Sequence, residues 1–212
     1  MMKKLLPVLI LLSALLCIGS EHGLPPVLLF IFKPLTTLLI IAVGWRAPVW
    51  IRVGLVCSLG GDVALMFAGG FVPGLVAFLL AHLAYLRAFT QVRRFGAWWS
   101  AFVGYGVLAV VLLAWLWPGV PAELRMPVLV YVACLASMAA QAAVVGWRAR
   151  GTVFGHEDAL LALGGALFLF SDSCIAFNKF AGPLPTAAAL VLPTYWAAQW
   201  LIANWRRAPE RV

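Results

Sequence analysis

Apolar segments, each about twenty residues long, follow one another along almost the whole of this 212-residue chain. Hydrophobic residues make up 65% of the sequence and charged residues only 10%, whereas soluble domains carry roughly a quarter charged residues. A water-soluble protein of this size cannot bury so much apolar surface, but a lipid bilayer covers it. Because a helix needs ~20 mostly apolar residues to cross a membrane, the chain has room for about seven or eight spans and no separate soluble domain.

Glycine, proline and charged residues divide the apolar sequence into eight predicted helices. Two lysines and an apolar run at the N-terminus resemble a signal peptide. The run lacks a small-x-small cleavage site and the second helix follows at once, so we expect a retained span. The sequence therefore predicts an all-α transmembrane bundle that forms a single domain over residues 1–212. The predicted helices are Leu5–Gly19, Pro25–Val43, Val49–Ala68, Phe71–Thr90, Trp98–Trp117, Met126–Gly146, Asp158–Asn178 and Leu184–Trp205.

The basic residues are distributed unevenly between the two sides of this bundle. If the N-terminus is cytoplasmic, all but three of the 15 Lys and Arg residues fall in cytoplasmic segments. The exceptions are Arg125 and Lys179 in outside loops and Lys33 inside the second predicted helix. This asymmetry predicts that both termini are cytoplasmic, and it explains the net charge of +8 without nucleic acid as a partner. The Ala-, Leu- and Trp-rich composition with arginines inside leads us to expect a bacterial cytoplasmic (inner) membrane protein.

Two carboxyl side chains, Asp62 and Asp172, lie within predicted spans, where charged groups are costly and therefore usually functional. Asp62 is seven residues before Gly69, and Asp172 is seven residues before Lys179. At a rise of about 1.5 Å per residue, both carboxyl groups lie ~10 Å below the outer surface. Two acidic groups at matched depth in so apolar a chain are its strongest functional signal.

Other polar residues lie at a similar depth. Lys33 is eight residues beyond the outer end of its helix, and His82 and Tyr195 are each eleven residues into theirs. Helical spacing places Tyr85 on the face of His82, and Gln199 on the face of Tyr195. We expect these side chains to share one layer with the two aspartates.

Acid–base chemistry suits these residues better than metal or nucleophilic catalysis. His82 is the one histidine well inside a span, so no three-ligand zinc site can be assembled, and no cysteine has metal-ligand spacing. No G-x-S-x-G motif occurs. Two neighbouring carboxyl groups can divide the roles of acid and base, which suits a bond that cleaves through an oxocarbenium-like state.

Two other functions stay open on the residues alone. Buried Asp, Lys and His side chains are also what a small proton-coupled transporter uses. In a structural membrane protein, Lys33 would pair with an aspartate, His82 would pack, and Tyr195 and Gln199 would form hydrogen bonds between helices.

Five motifs, in this order, resemble the YhhN family of membrane proteins, whose characterised members are lysoplasmalogenases. The resemblance implies a helical bundle of about eight spans that hydrolyses the vinyl ether bond of a lysoplasmalogen. The products would be a fatty aldehyde and glycerophosphoethanolamine or glycerophosphocholine, and no metal or organic cofactor is needed. The motifs are KPLTTLL (Lys33–Leu39), SLGGDVALMF (Ser58–Phe67), AFLLAHLAYLRAF (Ala77–Phe89), FSDSCIAFNKF (Phe170–Phe180) and LPTYWAAQWLI (Leu192–Ile202).

Under this resemblance, Asp62 and Asp172 are the expected catalytic acid–base pair, in either assignment. Lys33 would hold the phosphate of the lysophospholipid substrate or bias the protonation of the pair. The hydrocarbon chain would lie between helices, where membrane lipids enter sideways. The residues expected to position substrate and water are His82, Tyr85, Asn178, Tyr195 and Gln199.

Overall fold

The computed structural model of the protein describes residues 2–20, 23–148, 155–184 and 187–205. These ranges contain eight α-helices and no strand, which confirms the predicted all-α class. Three short 3-10 turns, at Gly44–Arg46, Trp117–Gly119 and Ala122–Leu124, lie in the connections. The helices α1 to α8 are Met2–Ser20, Val27–Val43, Val49–Ala64, Phe71–Thr90, Trp99–Leu116, Arg125–Arg148, Gly155–Phe180 and Ala187–Asn204.

Helix α3 ends four residues earlier than predicted, at Ala64 instead of Ala68. The chain then turns sharply through residues 65–70, and Gly69 adopts a positive φ of 80° there. A Cβ on Gly70 would lie only 1.7 Å from the Ala64 carbonyl oxygen, so only glycine permits this turn. The residues of the turn are as apolar as those of α3. For that reason the sequence predicted a helix that continues into the turn.

Five helices of the described chain are long and apolar enough to cross a membrane. They lie within Val27–Arg46, Phe71–Thr90, Trp99–Gly119, Ala122–Trp147 and His156–Phe180, and Leu5–Ser20 is a shorter apolar helix. Large apolar side chains also cover much of the outer surface, which a bilayer tolerates and water does not. The chain is therefore an integral membrane protein.

Six of the helices form a closed ring. Going around it, α2 packs on α3, α3 on α4, α4 on α6, α6 on α7, α7 on α8, and α8 on α2. Helix α1 packs on the outside of the ring against α2 and α8, and α5 packs on its outside against α6. The interior of the ring is therefore shielded from lipid by one layer of helices, and by two layers at α1 and α5.

Aromatic side chains fill the interior of this ring. The buried ring of Phe168, on α7, makes edge contacts with Phe78 of α4 and Tyr195 of α8 at centroid distances of 6.4 and 5.5 Å. Helices α3 and α4 approach closely where Gly54 faces Tyr85, since a Cβ on Gly54 would lie 2.2 Å from the tyrosine ring. This packing brings side chains from four helices to one central point.

Candidate active site

The carboxyl group of Asp62 is held by hydroxyl groups from two other helices. Asp62, on α3, is only 2% exposed. Its Oδ2 atom accepts hydrogen bonds from Thr37 Oγ1 of α2, at 2.7 Å, and from the Tyr195 hydroxyl of α8, at 2.8 Å. Trp196 Nε1 in turn donates to Thr37 Oγ1 at 3.4 Å, which fixes the threonine hydroxyl toward the carboxyl group. We call Asp62, Thr37, Tyr195 and Trp196 the Asp62 cluster.

Lys33 lies beside the Asp62 cluster without entering it. It is half-buried on α2, one turn before Thr37, and it is close enough to attract the Asp62 carboxylate electrostatically. Within the described ranges, no Lys or Arg nitrogen lies within 4 Å of a carboxylate oxygen, so Lys33 makes no direct ion pair. Its ammonium group is therefore available to an anionic group near Asp62.

The second carboxyl group, Asp172 on α7, faces a tyrosine and a histidine. The hydroxyl of Tyr131, on α6, donates a hydrogen bond to Asp172 Oδ2. His82 Nε2, on α4, lies 3.8 Å from the same oxygen, which is too far for a hydrogen bond. We call Asp172, Tyr131 and His82 the Asp172 cluster.

The imidazole of His82 is unusual because neither ring nitrogen has a hydrogen-bond partner among the described residues, although the side chain is fully buried. Buried polar atoms are nearly always paired, and an unpaired one needs a functional or solvent explanation. The ring is fixed by edge contacts with Phe168 at 4.7 Å and Tyr131 at 5.3 Å. Such a rigid, unpaired imidazole beside a carboxyl group is suited to holding a small polar molecule.

The two clusters meet at Phe168. Its ring contacts both His82, from the Asp172 cluster, and Tyr195, from the Asp62 cluster. The two carboxyl groups are close enough to repel each other when both are charged. The ring of helices thus brings the clusters of two aspartates that are 110 positions apart in the sequence to one aromatic side chain.

Tyr85 and Gln199 form a third hydrogen-bonded pair next to these clusters. The Tyr85 hydroxyl donates to Gln199 Oε1 at 2.6 Å, and Ser58 Oγ lies 3.5 Å from the same hydroxyl. All three side chains are buried. The pair joins α4 to α8 across the interior of the ring, which is the interhelical arrangement that the sequence left open.

Asn178 lies apart from the other predicted site residues. It is exposed near the end of α7, and its Oδ1 atom accepts a hydrogen bond from the backbone N–H of Leu184 at 2.9 Å. This bond closes the turn that follows α7. The remaining predicted residues lie at or beside the two clusters.

Sequence reasoning missed Thr37 and Tyr131, which hydrogen-bond directly to the two aspartates. Both carried a usable signal. Thr37 is one turn from Lys33 on the same helix, and Tyr131 is six residues beyond Arg125, hence ~9 Å deep and level with Asp172. No group of three or more His, Cys, Asp or Glu side chains is arranged to hold a metal ion in the part of the chain that is described.

A cleft between α4, α5, α6 and α7 opens beside Asp172. It holds about 90 Å³ of free space and is open on one side. Its walls are almost entirely apolar, with Leu75 from α4, Leu113 from α5 and Leu135 from α6 among them. Asp172 and Tyr131 lie on its surface, so the Asp172 cluster borders an apolar space.

Comparisons with known proteins agree with this arrangement. The sequence model of the YhhN family matches residues 28–205. The chain is 36% identical over 165 residues to lysoplasmalogenase TMEM86A of Bos taurus, a match covering 72% of this chain and 63% of the relative. It is 34% identical over 161 residues to lysoplasmalogenase TMEM86B of Homo sapiens, covering 70% and 59%.

A bacterial relative matches over nearly its full length. The uncharacterized membrane protein YhhN of Escherichia coli O157:H7 is 28% identical over 201 residues, covering 91% of this chain and 94% of the relative. The chain therefore spans less than two thirds of the mammalian lysoplasmalogenases and nearly all of the bacterial protein. No solved structure matches the chain.

Proposed function

This chain belongs to the YhhN family, and on that premise we propose that it hydrolyses the vinyl ether bond of a lysoplasmalogen. The products are a fatty aldehyde and glycerophosphoethanolamine or glycerophosphocholine. The similarity to two named lysoplasmalogenases supports the substrate class. The structural observation that carries the proposal is the pair of buried carboxyl groups, Asp62 and Asp172, whose clusters are joined by Phe168 inside one apolar bundle, with an apolar cleft beside Asp172.

The reaction needs an acid, a base and a stabilising anion, and two carboxyl groups supply all three. A proton first adds to the β-carbon of the vinyl ether and leaves an oxocarbenium ion. Water then attacks the carbon bonded to oxygen and loses a proton, which gives a hemiacetal. The hemiacetal collapses to the aldehyde, and the glycerol oxygen takes up a proton as its bond to carbon breaks.

The Asp62 cluster is suited to the charged intermediate. Thr37 and Tyr195 donate hydrogen bonds to the carboxyl group from fixed positions, as groups that stabilise an anion beside a developing cation do. Lys33, which has no ion pair of its own, is proposed to bind the phosphate of the substrate. Gln199 and Tyr85 brace the helices that carry these groups.

The Asp172 cluster is suited to holding the water that attacks. His82 has two unpaired nitrogens, and its Nε2 lies 3.8 Å from Asp172 Oδ2, so a water bound beside this pair would be within reach of both groups. We assign His82 to positioning this water. Asn178 stays a predicted substrate contact at the exposed end of α7, separate from the reacting groups.

The proposal is tested by measuring aldehyde release from an alkenyl lysophospholipid by the purified full-length protein. Asp62→Asn and Asp172→Asn should each lower the rate by about 10²–10⁴-fold, the usual contribution of a general acid or base. Asp158→Asn is the matched control, because Asp158 lies on the same helix as Asp172 but accepts a hydrogen bond from Trp205 Nε1 near the other end of that helix. Full activity in either Asp62→Asn or Asp172→Asn would refute the assignment.

We also propose that the protein lies in a bacterial inner membrane as one domain with both termini in the cytoplasm. The asymmetric distribution of basic residues supports this orientation, and the closure of the ring by α8 on α2 supports a single domain. A reporter that is active only outside the cytoplasm should stay inactive when fused to either terminus. Activity of either fusion would contradict the orientation.

A further inference from the structure

The cleft beside Asp172 presents one carboxyl group to whatever fills it. Three of its lining side chains are polar: Tyr131, Asp172 and Ser173. The Tyr131 hydroxyl is directed to Asp172, and Ser173 Oγ donates to the backbone carbonyl of Leu169 at 2.7 Å. The Asp172 carboxyl is therefore the polar group that faces an otherwise hydrocarbon-like space.

The cleft extends unequally to the two sides of Asp172. Along α7 its lining runs from Leu169, three residues before Asp172, to Phe180, eight residues beyond it. At the rise of an α-helix these spans are ~4.5 Å and ~12 Å. At the far end of the longer arm, Phe180 packs edge-on against Phe71 at 5.9 Å. The longer arm is thus an elongated apolar slot that begins at a carboxyl group and ends at an aromatic pair.

We propose that this cleft binds the hydrocarbon chain of the substrate, with the vinyl ether against Asp172; the inference rests on the function proposed above. The apolar walls offer no partner to a phosphate or a glycerol hydroxyl, whereas an aliphatic chain needs none. The Asp62 cluster, with Lys33 beside it, lies on the other side of Phe168 from the Asp172 cluster, and in this proposal the polar part of the molecule extends toward it. The vinyl ether then spans the junction between an apolar half and a polar half.

The cleft acts through its shape more than through affinity. Lipid tails are as apolar as leucine side chains, so a chain that leaves the bilayer for the cleft gains little from burial itself. The walls instead fix where the first carbons of the chain lie and exclude chains that do not fit. The length of the arm beyond Asp172 therefore sets which chains are accepted.

This placement also assigns the proton transfers. The β-carbon of the vinyl ether is the second carbon of the chain, so a chain lying in the cleft presents it to Asp172, which donates the first proton. Water held beside His82 attacks the oxocarbenium carbon and gives its proton to Asp172, while the Asp62 carboxylate stabilises the cation. The glycerol oxygen then takes a proton from Asp172 as its bond to carbon breaks, the hemiacetal hydroxyl returns a proton to Asp172, and both carboxyl groups regain their starting state.

The binding site is tested without turnover by a saturated alkyl lysophospholipid that carries a photoreactive group near the end of its chain. We expect this probe to label residues of the cleft walls in the purified full-length protein. An excess of the same lipid without the photoreactive group should suppress the labelling. Labelling confined to outward-facing residues, or labelling that the competitor does not suppress, would overturn the proposal.

The length of the arm is tested by filling it. Ala176 lines the arm one turn beyond Asp172, and Ala176→Phe should lower kcat/KM about tenfold or more for a chain long enough to pass it. A substrate whose chain ends before Ala176 should change by less than about twofold. Ala114→Phe, on the exposed face of α5, is the matched control and should change neither value. Equal effects of Ala176→Phe on both chain lengths, or none on the long one, would overturn the proposal.

Leu113→Trp fills the same arm from α5 and gives the same test if Ala176→Phe does not fold. The proposed chain-binding site and the proposed reaction can be refuted independently of each other. Suppressible labelling of the cleft that is lost in Leu113→Trp supports the chain site even if no alkenyl lysophospholipid releases aldehyde. Aldehyde release by a protein whose probe labels only the outer surface overturns the chain site and leaves the reaction intact.

Discussion

The substitution Tyr195→Phe isolates one hydrogen bond to Asp62 from the packing around it. The Tyr195 hydroxyl donates to Asp62 Oδ2 at 2.8 Å. Its ring is buried and makes edge contacts with Phe78 at 5.8 Å and Phe168 at 5.5 Å. Phenylalanine keeps those ring contacts, so the variant differs from the natural protein chiefly by one hydroxyl donor.

The size of the effect follows from the charge of the acceptor. A hydrogen bond to a charged group contributes about 1.5–3 kcal/mol, and each ~1.4 kcal/mol is a factor of ten in rate. Thr37 still donates to the same oxygen at 2.7 Å and compensates in part. We therefore expect Tyr195→Phe to lower kcat/KM by about ten- to thirtyfold, and the free energy of unfolding by only ~1 kcal/mol.

Aldehyde release is the assay, and Tyr105→Phe is the control, because Tyr105 lies half-buried on α5 outside both clusters. If the hydroxyl acts through Asp62, adding Tyr195→Phe to Asp62→Asn should cause almost no further loss, since coupled residues are not additive. The reasoning is refuted if Tyr195→Phe stays within twofold of the natural protein. It is equally refuted if the two losses multiply in the double variant.

Three further substitutions have defined outcomes. His82→Phe keeps an aromatic ring and removes two unpaired nitrogens. The free energy of unfolding should therefore stay unchanged while the rate of aldehyde release falls about hundredfold. A fully active variant would show that His82 is only a packing residue. Gly54→Ala places a Cβ 2.2 Å from the Tyr85 ring and should cost about 1–3 kcal/mol, measured as a lower thermal midpoint in detergent, and an unchanged midpoint would contradict the close approach. Trp205→Phe removes the 2.6 Å bond to Asp158 and should lower that midpoint without lowering kcat, whereas a loss of kcat alone would contradict a purely structural role.

The helices could be located from the sequence because apolar runs, and the glycine, proline and polar residues that bound them, can be read from short stretches of the chain. Predicted and observed bounds coincide for α4, Phe71–Thr90, where a glycine pair precedes the apolar run and Gln91 follows it. The predicted end of α3 was wrong because the residues of the following turn are themselves apolar. Hydropathy measures the preference for lipid and does not register a reversal of the backbone.

Part of the site could also be predicted, because charged groups inside a span are costly and therefore conspicuous. Counting residues from a predicted helix end gives a position along the membrane normal, and this predicted one level for Asp62 and Asp172; α3, however, ends two residues beyond Asp62, whereas α7 continues eight residues beyond Asp172. Depth is a single coordinate, however, and it does not give the rotation of a helix or the identity of its neighbours. For that reason Tyr131 and Thr37 were missed, although each hydrogen-bonds to one of the aspartates.

The sequence by itself determined that the protein is a helical membrane protein with two costly carboxyl groups inside its apolar helices. Backbone hydrogen bonds within a helix and the preference of apolar side chains for lipid are local properties, so a short stretch of sequence encodes them. Only the tertiary structure decided that α8 closes a ring on α2, that Phe168 joins the two clusters, and that Asp172 borders a cleft. In lipid the hydrophobic effect does not choose the neighbours of a helix, and close packing and hydrogen bonds between residues far apart in the chain decide them.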